Sequence, residues 1–147
     1  EHLGHESPGV REAALIALHQ IAAPDRGDAI ALVAKRLEES DVEARKALLS
    51  ALQQLAPPGN QQALDEVARR LTDSSIEVRK VALRVFGAIA EAPVPAEQLR
   101  LLEVSLEDSR ATVRRAALGA VEKLALQSAE LRDLVLKRLD DASTAVR

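Results

Sequence analysis

The chain has no cysteine, methionine, tryptophan or tyrosine among its 147 residues, and Phe86 is its single aromatic residue. The absence of cysteine excludes disulfide bonds, thiolate metal sites and cysteine nucleophiles. A core with so few rings must be built from Leu, Ile, Val and Ala, and of these Leu and Ala are strong helix formers. No apolar run approaches the roughly 20 residues that a membrane-spanning helix needs. The composition therefore favours a soluble protein made of closely packed helices.

Charges of the two signs are nearly balanced, because 20 basic residues stand against 23 acidic ones and the net charge is −3. Such a chain has no overall electrostatic attraction to nucleic acid. Composition leaves the compartment open, although an intracellular location is favoured, in the cytoplasm or in the lumen or stroma of an organelle. The sequence contains no glycine-rich phosphate loop, no serine elbow and no pair of carboxylates in contrasting environments. We therefore expect no enzymatic activity and no cofactor.

What the chain does contain is a dipeptide, Val-Arg, that returns at a nearly constant interval. The arginine recurs every 33 to 35 residues, and in one copy alanine replaces the valine; the five positions are Arg11, Arg45, Arg79, Arg114 and Arg147. A period of this length is typical of proteins built from stacked structural repeats. Such proteins are elongated and expose long binding surfaces.

Within each repeat the spacing of apolar residues predicts two helices. The first begins about three residues before the arginine, because an N-capping residue such as Asp41 or Ser75 stands four residues before it. Apolar residues then recur four, seven and ten residues after the arginine, which is the spacing of an amphipathic helix. Turns that contain proline, such as the one at residues 57–60, separate this helix from a second one. The predicted second helices cover residues 28–37, 62–71, 96–106 and 129–139.

Neither helix of such a hairpin can bury its apolar side alone, so neighbouring hairpins must cover it. We therefore predict an all-α fold, an α-solenoid of stacked helical hairpins with about four repeats and the start of a fifth. The predicted repeats cover residues 3–36, 37–70, 71–105, 106–138 and, in part, 139–147, within a single unit that spans residues 1–147. Because the chain ends where another helix should begin, we expect it to be a segment of a longer solenoid.

The pattern Leu-x-Asp-x-x-x-x-Val-Arg-x-x-Ala-Leu, which is clearest from Leu71 to Leu83, resembles the HEAT repeat. Its nearest form is the short bacterial and plastid HEAT-like type first associated with phycobilin lyases. Residues 106–118 repeat the pattern and residues 139–147 open another copy, whereas the first two repeats have His5 and Glu39 in place of the aspartate. The resemblance implies an armadillo-type fold and says little about activity.

The arginine column lies on the same helical stripe as the core residues, so each guanidinium is expected to be partly buried and to need an acceptor. The acidic residue six positions earlier in the same repeat is the obvious supplier, namely Asp73, Asp108 or Asp141, with Glu39 in one repeat. A planar guanidinium suits such paired hydrogen bonds better than an ammonium group does. The resemblance to HEAT-like proteins implies an Asp–Arg ladder that joins adjacent repeats. An alternative is that the arginines form a track that binds anions. We prefer the structural interpretation, because a residue that every repeat contains is better explained by a role in the repeat itself than by a ligand.

A second candidate site consists of basic residues near the ends of the second helices. Three of these helices carry a basic pair there, and the remaining one has Val104 and Ser105; the basic residues are Lys35, Arg36, Arg69, Arg70, Lys137 and Arg138. A stripe of this kind would suit an acidic partner, a phosphate or a nucleic acid. Cations also favour helix C-termini for local electrostatic reasons, and no aromatic residues stand between them for base stacking. The local explanation is therefore preferred.

The leading functional hypothesis is a non-catalytic scaffold or adaptor for protein–protein interaction within a larger assembly, holding an extended partner on the surface of the second helices. The resemblance to phycobilin-lyase-type repeats implies an alternative, a lyase-like subunit or chromophore chaperone. Nucleic-acid binding through the basic edge is a third hypothesis, which the few aromatic residues and the negative net charge disfavour. No metal site is expected, since His2, His5 and Glu6 match neither common zinc-protease motif. No small-molecule substrate and no membrane insertion are expected either.

Overall fold

The computed structural model describes residues 26–39, 41–91, 93–125, 129–136 and 143. In these ranges the chain forms seven α-helices, one short 3-10 turn and no strand. The helices are α1 (Arg26–Glu39), α2 (Val42–Leu55), α3 (Gln61–Arg69), α4 (Ile76–Ile89), α5 (Ala96–Leu106), α6 (Ala111–Ala125) and α7 (Ala129–Leu136), and the 3-10 turn Arg70–Thr72 follows α3 directly. The predicted all-α class is confirmed.

The helices are arranged in two layers. One layer contains α2, α4 and α6, which carry the arginine column and pack side by side in that order. The other contains α1, α3 and α5, and each of these packs against the arginine-bearing helix that follows it in the chain. The helix α7 packs against α6. This arrangement of stacked antiparallel helices is the predicted α-solenoid.

Side-chain caps fix where the arginine-bearing helices begin. Asp41 precedes α2, and its Oδ1 accepts the backbone N–H of Ala44 at 2.8 Å. Ser75 precedes α4, and its Oγ accepts the backbone N–H of Val78 at 3.5 Å. Each bond satisfies a donor that the first turn of a helix leaves without an intrahelical partner. The helix starts that the sequence predicted about three residues before Arg45 and Arg79 agree with the structure.

The turn at residues 57–60 connects α2 to α3 and also contacts α4. Gly59 has a φ of 73°, in the left-handed region that a residue without a Cβ adopts at no steric cost. Its N–H donates to the carbonyl oxygen of Ile89 at 2.7 Å, which supplies a partner to an acceptor at the end of α4. Asn60 then caps α3, because its Oδ1 accepts the N–H of Ala63 at 2.9 Å.

Replacing Asn60 by alanine removes this cap, and we expect the free energy of unfolding to fall by about 1 kcal/mol. Urea denaturation, monitored by far-ultraviolet circular dichroism, measures the change in the free energy of unfolding. Asn60→Asp is the matched control, since it retains the accepting oxygen and should unfold at nearly the same urea concentration as the original chain. Equal stability of the alanine variant would contradict the capping role.

The core lies between the two layers and extends from α1 to α7. It is aliphatic apart from Phe86, whose side chain is completely buried. The positions four, seven and ten residues after the column arginines are buried in α2, α4 and α6, except for Leu118, which is half-buried. Phe86 occupies one of these positions, so the largest side chain of the core stands where the repeat pattern places an inward residue. None of the described helices combines the length and the apolar character needed to cross a bilayer.

Candidate functional site

Two arginines of the column contact carboxylates of the following repeat. Arg45 Nε lies 3.0 Å from Asp73 Oδ2, and Arg45 Nη2 donates to Asp73 Oδ1 at 3.1 Å. Arg79 makes the equivalent contact with Asp108, at 2.9 Å from Nε to Oδ2 and 3.4 Å from Nη2 to Oδ1. The four side chains are at most 18% exposed. Each pair is therefore largely shielded from solvent, and its two contacts restrict the relative orientation of the two groups.

The pairing differs from the one expected from the sequence, which assigned to each arginine the carboxylate six positions earlier. That expectation is wrong for Arg79, because Asp73 gives it only a backbone carbonyl oxygen, which accepts from Arg79 Nη1 at 2.8 Å. Arg114 uses the carbonyl of Asp108 in the same way, at 2.9 Å. The carboxylate of Asp73 accepts the N–H of Ser75 at 2.8 Å instead. Its other contacts go to the preceding repeat.

Several predicted site residues fall outside the described part of the chain. These are Arg11, Asp141 and Arg147 of the column, Lys137 and Arg138 of the basic stripe, and the terminal residues His2, His5 and Glu6. In the ranges that the structure does describe, no group of three or more His, Asp or Glu side chains could hold a metal ion.

The rest of the basic stripe is divided among different environments. Lys35 and Arg36 are exposed on α1. Arg69 is exposed on α3, and its Nη1 lies 2.5 Å from the Oε1 of Glu66 on the same helix. Arg70 is half-buried in the 3-10 turn. On α5 the equivalent position is Val104, with 58% of its surface exposed, so the stripe is interrupted by an apolar residue.

A concave surface lies elsewhere, between α4 and α6 in the arginine-bearing layer. It is a groove of about 480 Å³. Its floor is formed by small apolar residues, namely Val81, Ala116, Gly119 and Ala120, and its rims carry Glu77, Lys80 and Arg84 from α4 and Thr112, Arg115 and Lys123 from α6. The rim residues other than Lys80 are exposed. Polar rims over an apolar floor are typical of a site that binds another molecule.

The groove exists because Gly119 stands where a long side chain fills the gap one repeat earlier. The residue five positions after the column arginine is Arg84 on α4 and Gly119 on α6. Arg84 reaches across to α2, where its Nη1 donates to Gln53 Oε1 at 2.7 Å and its Nη2 donates to Ser50 Oγ at 3.3 Å. At Gly119 no atom of a neighbouring residue lies within 4 Å of the place a Cβ would take. The gap between α4 and α6 therefore stays open.

A close approach of the two helices lies beside this groove. A Cβ built on Gly87 of α4 would lie 2.7 Å from the Cα of Ala120 on α6 and 3.1 Å from its Cβ. Real Cβ atoms essentially never come as near to another carbon as the shorter of these distances. The missing side chain at Gly87 thus sets the spacing of α4 and α6, and with it the width of the groove.

The rims of the groove are predominantly positive. They carry four cations and one carboxylate, Glu77, which lies 3.0 Å from the Nζ of Lys80. Among the residues that the structure describes, Arg115 and Lys123 have no carboxylate within ion-pair distance. This local excess of positive charge contrasts with the net charge of −3 on the whole chain.

Comparison with known proteins gives one family and a set of similar folds. A family model described as HEAT repeats matches residues 1–86. The chain is similar to a designed armadillo repeat protein solved in complex with the peptide (KR)4, with a TM-score of 0.63 and 23% identity, covering 99% of this chain and 74% of the other. Computationally designed armadillo repeat proteins for modular peptide recognition give a TM-score of 0.57 and 24% identity, with the same coverage. No curated protein gives a significant sequence match. At these identities the two structures establish the fold alone.

Proposed function

The chain belongs to the HEAT repeat family, and we propose that it is a non-catalytic scaffold that binds a segment of a partner protein within a larger assembly. The observation that carries the proposal is the groove between α4 and α6, with its apolar floor and charged rims. Stacked repeats commonly use a continuous surface of this kind to hold an extended partner. The fold is shared with designed armadillo proteins whose descriptions name a bound peptide or peptide recognition, which supports a peptide as the occupant here.

This proposal places the partner on the arginine-bearing helices, whereas the sequence suggested the surface of the second helices. The change follows from the position of the groove, because α4 and α6 supply its lining residues. The volume of about 480 Å³ suits a few side chains rather than a whole folded domain. Beyond it, α2 continues the same layer and presents Ser50 and Gln53 next to Arg84. A partner segment would therefore extend from the groove across Arg84 toward α2.

The phycobilin-lyase-like alternative gains no support from the groove. Its lining contains small aliphatic residues and flexible charged side chains but no aromatic ring to pack against a tetrapyrrole. The only phenylalanine of the chain, Phe86, is completely buried in the core. We therefore retain the peptide-binding scaffold as the proposed function.

A displayed library of random dodecapeptides, selected against the purified chain, tests the scaffold proposal. We expect it to yield peptides whose affinity falls by about tenfold or more for Gly119→Trp, since the indole would fill the groove. We expect the variant to fold, because a Cβ at this position meets no neighbouring atom within 4 Å and the residue lines the open groove. Circular dichroism and thermal unfolding verify that it does.

Val104→Trp is the matched control, because it adds the same indole at an exposed position of α5 in the other layer. Selected peptides should bind this variant as they bind the original chain. Failure to enrich any peptide would contradict the scaffold proposal. So would peptides that bind Gly119→Trp normally and lose affinity for Val104→Trp.

A further inference from the structure

We infer that the groove between α4 and α6 accepts an acidic segment of a partner protein that carries small aliphatic side chains among its Asp or Glu residues. The inference rests on the proposed function and specifies the chemistry of the partner. It combines two observations, the uncompensated positive charge on the rims and the apolar floor of the groove at Gly119.

The charge argument begins with what each cation already contacts. Lys80 is paired with Glu77, so its charge is locally compensated. Arg84 donates one hydrogen bond to the Oε1 of Gln53 and one to the Oγ of Ser50, and neither of these neutral groups cancels its charge. Its position in the rim therefore leaves a positive charge facing solvent beside the groove.

The opposite rim adds two further cations. Arg115 and Lys123 are exposed on α6, and in the described part of the chain neither has a carboxylate within ion-pair distance. Positive charge thus stands on both sides of the groove, on a chain whose net charge is −3. Charge complementarity of this local kind favours an acidic partner over a basic one and steers its approach to the groove.

The floor specifies the second part of the ligand. Val81 and Ala116 are half-buried, and the space above Gly119 has no side chain to fill it. Covering this strip with an aliphatic group removes apolar surface from water, which is favourable in proportion to the area buried. The floor of the groove consists of Val81, Ala116, Gly119 and Ala120, so an aliphatic side chain such as that of alanine or valine can lie on it. Carboxylates before and after that side chain in the partner would reach the two rims.

The same floor favours a protein segment over a nucleic acid. A sugar–phosphate backbone would satisfy the rim cations but has no aliphatic side chain for the apolar strip. Single-stranded nucleic acids usually gain affinity by stacking bases on aromatic side chains. The described surface offers none, since Phe86 is completely buried. Binding of an oligonucleotide is therefore an outcome that the test must distinguish.

Fluorescence anisotropy with labelled synthetic probes supplies that test. The probes are dodecapeptides of alternating Glu-Ala, Glu-Ser and Lys-Ala, together with a dodecamer of thymidylate. We expect the Glu-Ala peptide to bind about tenfold more tightly than the Lys-Ala peptide and more tightly than the Glu-Ser peptide, which has the same charge but no apolar side chain. Its affinity should fall as salt is raised, because exposed charges are screened.

Charge-reversal variants locate the binding site. The pair Arg84→Glu with Arg115→Glu should weaken Glu-Ala binding by about tenfold or more. The matched control, Lys35→Glu with Arg100→Glu, makes the same change in net charge at exposed positions of the other layer and should change the affinity by less than about twofold. Arg115→Gln removes one charge without adding another, and should have a smaller effect in the same direction if the double variant does not fold.

Four results would overturn the inference. They are equal binding of the Glu-Ala and Lys-Ala peptides, equal binding of the Glu-Ala and Glu-Ser peptides, equal weakening by the two variant pairs, or tighter binding of the thymidylate dodecamer than of any peptide. Failure here is distinct from failure of the scaffold proposal. If the display library yields neutral or basic peptides that Gly119→Trp excludes, the scaffold stands and only the acidic character of the partner is wrong.

Discussion

Replacing Arg79 by alanine is expected to lower the free energy of unfolding by about 2–4 kcal/mol. The substitution leaves the carboxylate of Asp108, with 13% of its side chain exposed, without the guanidinium that lies 2.9 Å from it. It also removes the donor to the carbonyl oxygen of Asp73. The expected loss is smaller than for a completely buried pair, because both side chains retain some contact with water. Urea denaturation and the melting temperature measure it, and an unchanged melting temperature would refute the structural role of this arginine.

Arg84→Ala is the appropriate control for this effect. It removes a guanidinium from the same helix, but one that is exposed and bonded only to the neutral side chains of Gln53 and Ser50. We expect its cost to stay below about 1 kcal/mol. The loss of stability for Arg79→Lys should lie between those for Arg79→Ala and Arg84→Ala. Lysine keeps the positive charge but lacks the planar guanidinium that contacts both carboxylate oxygens of Asp108. A double-mutant cycle with Asp108→Asn should give a coupling energy of about 1 kcal/mol or more if the pair acts across the repeats.

Gly87→Ala is expected to destabilise the chain by about 1–3 kcal/mol, although alanine is the better helix former. The added methyl group would stand 2.7 Å from the Cα of Ala120, a backbone atom that moves only if α4 and α6 separate. Because these helices pack against each other in the same layer, their separation would loosen the core between the layers. Thermal unfolding and urea denaturation measure the loss.

Gly119→Ala is the matched comparison, and we expect it to change the stability in the opposite direction. It also replaces a helical glycine by alanine, but no neighbouring atom lies within 4 Å of the new Cβ. We expect it to stabilise the chain by about 0.5–1 kcal/mol through helix propensity alone. If Gly87→Ala stabilises the chain by the same amount as Gly119→Ala, the close approach of α4 and α6 does not limit the packing.

Local features of the sequence were sufficient to predict the helices and the partial burial of the arginines in the column. The caps at Asp41 and Ser75 and the apolar spacing after Arg45 and Arg79 depend on residues within a few turns of each other, and the structure agrees with them. The partner of Arg79 depends on something else. Asp73 stands six positions before it and Asp108 stands 29 positions after it, and periodicity cannot distinguish them because both occupy the same place in a repeat. How neighbouring repeats stack decides the choice.

The groove was missed for a related reason. The groove depends on how α4 lies against α6, and the spacing of apolar residues within one helix does not specify how that helix packs against another. A signal was nevertheless present in the alignment of the repeats, where the position five residues after the arginine changes from Ser50 to Arg84 and then to Gly119. A glycine in place of a bridging arginine indicates an unfilled gap, provided that the side chain at this position spans adjacent helices. The hydrogen bonds of Arg84 establish that it does.

One carboxylate serves two units of the fold, and this has a consequence for how the chain unfolds. Asp73 accepts the N–H of Ser75 next to the start of α4 and also receives the guanidinium of Arg45 on α2. If α2 unfolds, the carboxylate of Asp73 loses its contact with Arg45, and if α4 unfolds, it loses the N–H of Ser75. Unfolding of either helix therefore removes one partner of a carboxylate that the other helix also uses. Nearest-neighbour coupling of this kind makes partial states costly. The described helices should accordingly lose their structure in one cooperative transition, and weakening the Arg45–Asp73 contact should divide that transition into two.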